Sequence, residues 1–150
     1  MVRRLYRSGC AKAGAIVGSK GKNGYLKALF RGRYLQVHRI VWLLHKETIP
    51  PAIDHINGVR DDNRIENLRA ATPGENAANQ NVPYGGIPLK GVSFHKKLGK
   101  FQAAITRDRR TKYLGVFASA VDAARAYDEA AIKTFGEYAK TNEALGLIHV

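Results

Sequence analysis

Runs rich in aliphatic and aromatic residues fall at positions 25–30 and 34–37, with the turn-forming Arg31-Gly32-Arg33 between them. This pattern predicts a β-hairpin. The apolar-rich stretch from His38 to Lys46 predicts a short helix, which the Pro50-Pro51 pair brings to an end. Ala52-Ile53-Asp54-His55 reads as a brief strand that runs into an Asn-, Asp- and Gly-rich loop over residues 57–63, and such surface loops often carry function. A second strand is expected over residues 67–71. Thr72-Pro73-Gly74-Glu75 then starts a helix, with Thr72 as the cap, Pro73 at the first helical position and Glu75 completing a capping box. That helix is expected to reach Asn81.

Residues 82–88 hold two prolines and two glycines and break regular structure. Beyond them, three β-type stretches are expected at residues 91–95, 100–106 and 112–117, separated by turns at 97–99 and 108–110. A helix follows over residues 120–135, opened by Ser119 and closed by Gly136. Its Ala120, Ala123, Ala124, Tyr127, Ala130 and Ala131 recur at three- and four-residue spacing, a stripe of mostly small side chains that lets a helix lie close on a sheet. The expected fold class is α+β, in two modules. A domain over residues 1–81 comprises a basic N-terminal hairpin and a compact ββα core at 50–81, and residues 82–89 form a linker. A three-stranded antiparallel sheet with one helix occupies 90–143, leaving a tail at 144–150.

Charge adds a partner to this picture. The chain carries 25 Lys and Arg against 12 Asp and Glu, a net charge of +13. The charge is unevenly spread: +10 over residues 1–47, −2 over 48–85 and +5 over 86–150. Basic flanks around a mildly acidic middle suit a protein that draws in a polyanion and presents it to carboxylates. Cys10 is the single cysteine, which excludes an intrachain disulfide and Cys-rich zinc fingers and fits a reducing compartment. The longest apolar run, residues 40–44, is far too short for the roughly 20 residues of a membrane span. Lys12 interrupts any signal-peptide core after Arg3, Arg4 and Arg7. A cytoplasmic protein with no membrane partner is expected.

The chemistry gathers at Asp54-His55-Ile56-Asn57-Gly58, Asp62-Asn63 through Asn67-Leu68, and Thr72 through Asn76. With His38-Arg39 ahead of them, these residues resemble the HNH nucleases, in the subgroup found among phage and intron homing endonucleases. The resemblance covers roughly residues 25–80. It implies a ββα-metal core and a homing-type DNA endonuclease. Independently of the name, phosphodiester cleavage needs a base, a cation against the developing charge and a group that orients the base. His55 is the natural base, because its ordinary pKa lies near neutrality. Asp54 and Asn76 offer oxygen ligands, which suit a hard, partly hydrated cation: Mg²⁺, with Mn²⁺ as substitute. Asn67, as the resemblance implies, holds either the strand-to-loop backbone or His55 itself. Asn76 stands where the family often has a His, which argues against zinc or nickel. His38 either approaches the site or simply starts a helix. Asn57, Asn63, Asn79 and Asn81 read as turn, bracing or capping residues.

Residues 91–142 resemble the DNA-binding domain of plant Apetala-two and ethylene-response factors. The landmarks are Lys90-Gly91-Val92, Gly99-Lys100-Phe101, Tyr113-Leu114-Gly115-Val116-Phe117, Ala123-Ala124-Arg125-Ala126-Tyr127-Asp128, Ala130-Ala131 and Phe135-Gly136. That family lays its sheet into the major groove, which is wide enough for a β-ribbon. Carried over by position, the DNA face takes Lys90, Ser93, His95, Lys100, Gln102, Thr106, Lys112 and Tyr113. Ser93 and Thr106 replace Arg and Tyr113 replaces Trp, so phosphate positioning is expected more than base readout. Arg107, with Arg109 and Arg110, either grips the phosphate backbone or lies in a solvated turn. In the hairpin, Lys27, Arg31 and Arg33 are expected on DNA. The combined expectation is a monomeric endonuclease on double-stranded DNA that nicks one strand. The alternative is a non-catalytic DNA-binding regulator on a retained nuclease scaffold.

Overall fold

The computed structural model describes residues 18–82 and 86–149. The N-terminal basic residues and Cys10, together with part of the expected linker, lie outside the described residues. The chain divides into two compact units, residues 1–71 and 72–150.

In the first unit, β1 (Ser19–Lys20), β2 (Leu26–Phe30) and β3 (Arg33–Gln36) form an antiparallel sheet in that order. Arg31 and Gly32 join β2 to β3 with φ of 49° and 77°. A two-residue turn with both φ positive matches the right-handed twist of the strands it connects. Leu26 and Ala28 are buried while Lys27 and Leu29 are exposed, the period-two pattern of a half-covered strand. Helix α1 (Val37–His45) follows directly. Its Trp42 packs with Ile53 and Leu68 in the core of the unit and donates from Nε1 to the Thr48 carbonyl at 2.9 Å. Strands β4 (Ala52–His55) and β5 (Leu68–Ala71) pair antiparallel, with Asp54 opposite Arg69 and His55 opposite Leu68. A 3₁₀ turn over Ile65–Asn67 leads into β5.

The second unit begins with α2 (Pro73–Ala78), whose capping box is complete: Thr72 Oγ1 accepts from Glu75 N, and Glu75 Oε2 accepts from Thr72 N at 2.7 Å. The helix stops at Ala78, short of the expected Asn81, and Ala78 enters a core with Ile105, Tyr127, Ala131 and Phe135. Helix α2, grouped with the nuclease module on sequence grounds, therefore packs with C-terminal residues. Strands β6 (Val92–His95), β7 (Lys100–Arg107) and β8 (Arg110–Phe117) form an antiparallel sheet in chain order. Helix α3 (Ala120–Phe135) covers one face through its stripe of small residues, Ala123, Ala124 and Ala131 all being buried. Ser119 Oγ caps it from Val121 N at 3.1 Å, and Gly136 ends it at φ 54°. Gly91, at φ +71°, lies so close to Tyr127 that a Cβ would stand 1.8 Å from its ring. Only glycine permits that approach.

After α3 the chain is pinned by Asn142, which is fully buried. Its Oδ1 accepts from Lys90 N at 2.6 Å, and its Nδ2 donates to Asp128 Oδ1 at 2.8 Å and to the Lys90 carbonyl at 3.2 Å. The expected tail is also held, since Ile148 is buried and Arg125 donates to the His149 carbonyl at 3.2 Å. No described helix is long and apolar enough to cross a membrane.

Candidate active site

The end of β4 brings three consecutive buried residues, Ile53, Asp54 and His55, to the mouth of the 56–64 loop. Neighbours along a strand point to opposite faces. Asp54 accordingly meets its cross-strand neighbour: Arg69 donates from Nε and from Nη2 to Asp54 Oδ2, both at 2.8 Å. With side chains 14% and 4% exposed, this is a nearly dry ion pair.

His55 turns the other way. Its Nε2 lies 3.0 Å from Asn63 Oδ1, and Asn63 Nδ2 donates to the Asp61 carbonyl at 3.2 Å. The second contact orients the amide so that its oxygen faces the imidazole, which makes His55 Nε2 the protonated nitrogen. In the neutral ring Nδ1 then carries the lone pair, the requirement for a base. The same loop is braced by Asn67, whose Oδ1 accepts from Asn57 N at 3.0 Å while Nδ2 donates to Asn57 Oδ1 at 3.0 Å and to the Asp62 carbonyl at 2.8 Å. Asn67 is thus bonded to the backbone of this loop. Gly58, at φ 74°, makes the turn and donates from its N–H to the His55 carbonyl at 2.8 Å. Asp62 grips Arg64 through both oxygens, at 2.8 and 2.7 Å, and also accepts from Asn57 Nδ2. The Arg64 guanidinium, ahead of its other partners, holds the Asp62 carboxyl far below the usual carboxylate range.

Two residues of the site were not assigned from the sequence. Asn63 reads as a bracing residue until its oxygen is seen on His55, and nothing in a single asparagine distinguishes the two roles. His38, left open, both starts α1 and meets His55 ring to ring, with centroids 5.2 Å apart. Burial, and then the charges of His55 and Arg39, lower its pKa from 6.5 to about 4, so it is neutral at pH 7.

Asn76 lies on α2 in the second unit, where its N–H donates to the Thr72 carbonyl at 3.0 Å. No group of three or more His, Cys, Asp or Glu side chains gathers to hold a metal among the described residues. Carboxylate and amide oxygens are in general donors for a hard cation rather than for zinc.

The expected DNA contacts separate by face. Strand pairing sets Ser93 opposite Gln102, His95 opposite Lys100, Ala104 opposite Tyr113 and Thr106 opposite Thr111. Ser93, His95, Lys100, Gln102, Thr106 and Tyr113 therefore share one sheet face. Arg107 and Lys112 do not. Arg107 alternates with Thr106 onto the α3 side, where its Nη1 donates to the Thr134 carbonyl at 2.7 Å, and Lys112 pairs with the inward Ile105. Lys90 is a larger correction: it is buried, and its Nζ donates to the carbonyls of Ala78 and Lys140, each at 2.6 Å. In the hairpin, Lys27, Arg31 and Arg33 are all exposed, but Lys27 and Arg33 lie on opposite faces, and the Arg31 guanidinium sits 5.5 Å from the Phe30 ring centroid.

Residues 35–78 match the HNH endonuclease family model. The match begins within the hairpin and ends with α2, and so takes in His38, Asp54, His55, Asn63, Asn67 and Asn76. The chain is also 28% identical over 126 residues to an uncharacterized HNH endonuclease of Acanthamoeba polyphaga mimivirus. That similarity covers 82% of this chain and 65% of the viral protein's length, so it continues well outside the HNH segment.

Proposed function

We propose that this protein is a divalent-metal-dependent DNA endonuclease of the HNH type, with a ββα-metal centre, acting in homing fashion and cutting one strand. The observation that carries this reading is His55, buried at a strand end with its Nε2 3.0 Å from Asn63 Oδ1. His55 takes the proton from the attacking water, and Asn63 keeps the imidazole in the tautomer that can accept it. Asn67 fixes the loop that carries Asn63. Asp54 and Asn76 would hold the cation, Mg²⁺ or Mn²⁺, whose contribution when bound is to neutralise charge on the phosphate. The sheet face of Ser93, His95, Lys100, Gln102, Thr106 and Tyr113, with Lys27, Arg31 and Arg33 of the hairpin, would position double-stranded DNA in the manner of the Apetala-two and ethylene-response-factor domains. One centre in a monomer yields a nick.

The test is supercoiled plasmid incubated with Mg²⁺ or Mn²⁺. Conversion to open circle is expected for the native protein, and loss of it for His55→Ala and in excess chelator. Undiminished cleavage by His55→Ala would sink the assigned base. One observation favours the rival regulator: Asp54 already closes onto Arg69. That reading requires specific DNA binding and no cleavage with any divalent ion.

A further inference from the structure

Tyr25, His38 and His55 come from three stretches of the first unit: the run into β2, the first turn of α1 and the end of β4. Their rings meet in a closed triangle. His38 and His55 lie 5.2 Å apart at 84°, Tyr25 and His38 5.3 Å apart at 57°, and Tyr25 and His55 5.8 Å apart at 50°. Arg60, from the loop after His55, closes over the outside: its guanidinium carbon is 5.2 Å from the Tyr25 ring centroid and its Nη1 donates to the Asn23 carbonyl at 2.9 Å.

His38 is 5% exposed, and its Nδ1 is buried with no hydrogen-bond partner among the described residues. Ring packing is therefore prominent in fixing this side chain. The hydrogen bond to Asn63 holds His55 at Nε2, and the edge-to-face contact with His38 bears on the plane of the imidazole, because ring pairs prefer particular relative orientations.

We propose that His38 is a positioning residue for His55, setting the plane of its imidazole by edge-to-face contact, with Tyr25 as the third side of the clamp. The inference rests on the reading of His55 as the base. His38 does this as a ring, not through its nitrogens. It is uncharged at neutral pH, burial having lowered its pKa to about 4, so it does not repel a proton arriving at His55.

The test compares His38→Leu, which removes the ring, with His38→Phe, which keeps a ring and removes the nitrogens. Three quantities are measured: kcat and KM for plasmid nicking, the thermal midpoint, and the ring C–H resonances of His55. For His38→Leu, kcat is expected to fall by about 10- to 100-fold with KM unchanged, the range over which a displaced reacting group lowers rate. Its thermal midpoint should stay at or above that of the native protein, because an unpartnered buried nitrogen has been removed. A purely structural role would lower kcat and midpoint together. His38→Phe should restore kcat. The His55 resonances should move in His38→Leu and return in His38→Phe, whether or not the protein cleaves. Full kcat with unmoved His55 resonances in His38→Leu would overturn the proposal. If the native protein cuts nothing with any divalent ion, the nuclease reading fails by itself, and the resonances alone decide the clamp.

Discussion

Replacing Lys90 with methionine separates a structural lysine from a DNA-binding one. Lys90 Nζ donates to the Ala78 and Lys140 carbonyls at 2.6 Å each, joining the end of α2 to the segment after α3. Hydrogen bonds from a charged donor contribute about 1.5–3 kcal/mol each, so losing both costs about 3–6 kcal/mol. Against this stands relief of burial, which, with the charge of Lys140 behind it, lowers the Lys90 pKa from 10.5 to about 8. That difference corresponds to at most about 3 kcal/mol, and solvent screening brings it to roughly 2. The net expectation for Lys90→Met is a loss of about 1–4 kcal/mol in the second unit. Urea unfolding at pH 7 measures it. A second signature follows from linkage. The folded pKa lies below the unfolded one, so the unfolded chain holds more protons between pH 8 and 10.5, and native stability rises with pH across that window. The variant should lack that rise. Meanwhile, the salt dependence of DNA binding should be unchanged in Lys90→Met and fall by about one in Lys100→Ala, the value of one phosphate contact. A Lys90→Met protein as stable as the native one, but with that slope reduced, would refute the reasoning.

Three further outcomes test the first unit. Asn63→Ala should lower kcat by about 10²-fold with little change in KM, and Asn63→Asp, which keeps an acceptor for His55 Nε2, should recover most of it. Steady-state nicking kinetics decide this. Arg69→Met strips the guanidinium from a buried carboxylate and should destabilise the fold by about 3–5 kcal/mol, with Asp54→Asn added as the compensating change. Unfolding curves of the single and double variants read the difference. His38, whose folded pKa of about 4 lies below the unfolded 6.5, carries no protonation penalty above pH 6.5, and native stability is lost as pH falls from 6.5 towards 4 because burial opposes its charging. After allowance for screening, the loss is on the order of 2 kcal/mol and should vanish in His38→Leu.

How much was legible in the sequence depends on the range of the interaction that decides each feature. The hairpin, both capped helices and the three C-terminal strands follow from local rules: left-handed turn residues at Arg31-Gly32, a capping box at Thr72, a serine cap and closing glycine around α3. Asp54, His55 and Asn67 stand out in the sequence because their spacing resembles that of a known motif. What the sequence hid is long-range or degenerate. Lys90 reads as a surface cation, and only the fold shows Ala78 and Lys140 carbonyls enclosing its ammonium. The carry-over by position puts Lys112 and Tyr113 on one face, although neighbours on a strand point to opposite faces. Helix α2 was grouped with the strands before it because the motif runs through it, whereas its Ala78 packs with Tyr127 and Phe135. Motif continuity follows the chemistry a segment serves and packing follows its apolar face, and in α2 the two point to different partners along the chain. Asn63 shows the same limit at atomic scale. An asparagine that braces a loop and one that orients a base are the same residue, and which it is depends on the direction of one amide, set here by the Asp61 carbonyl.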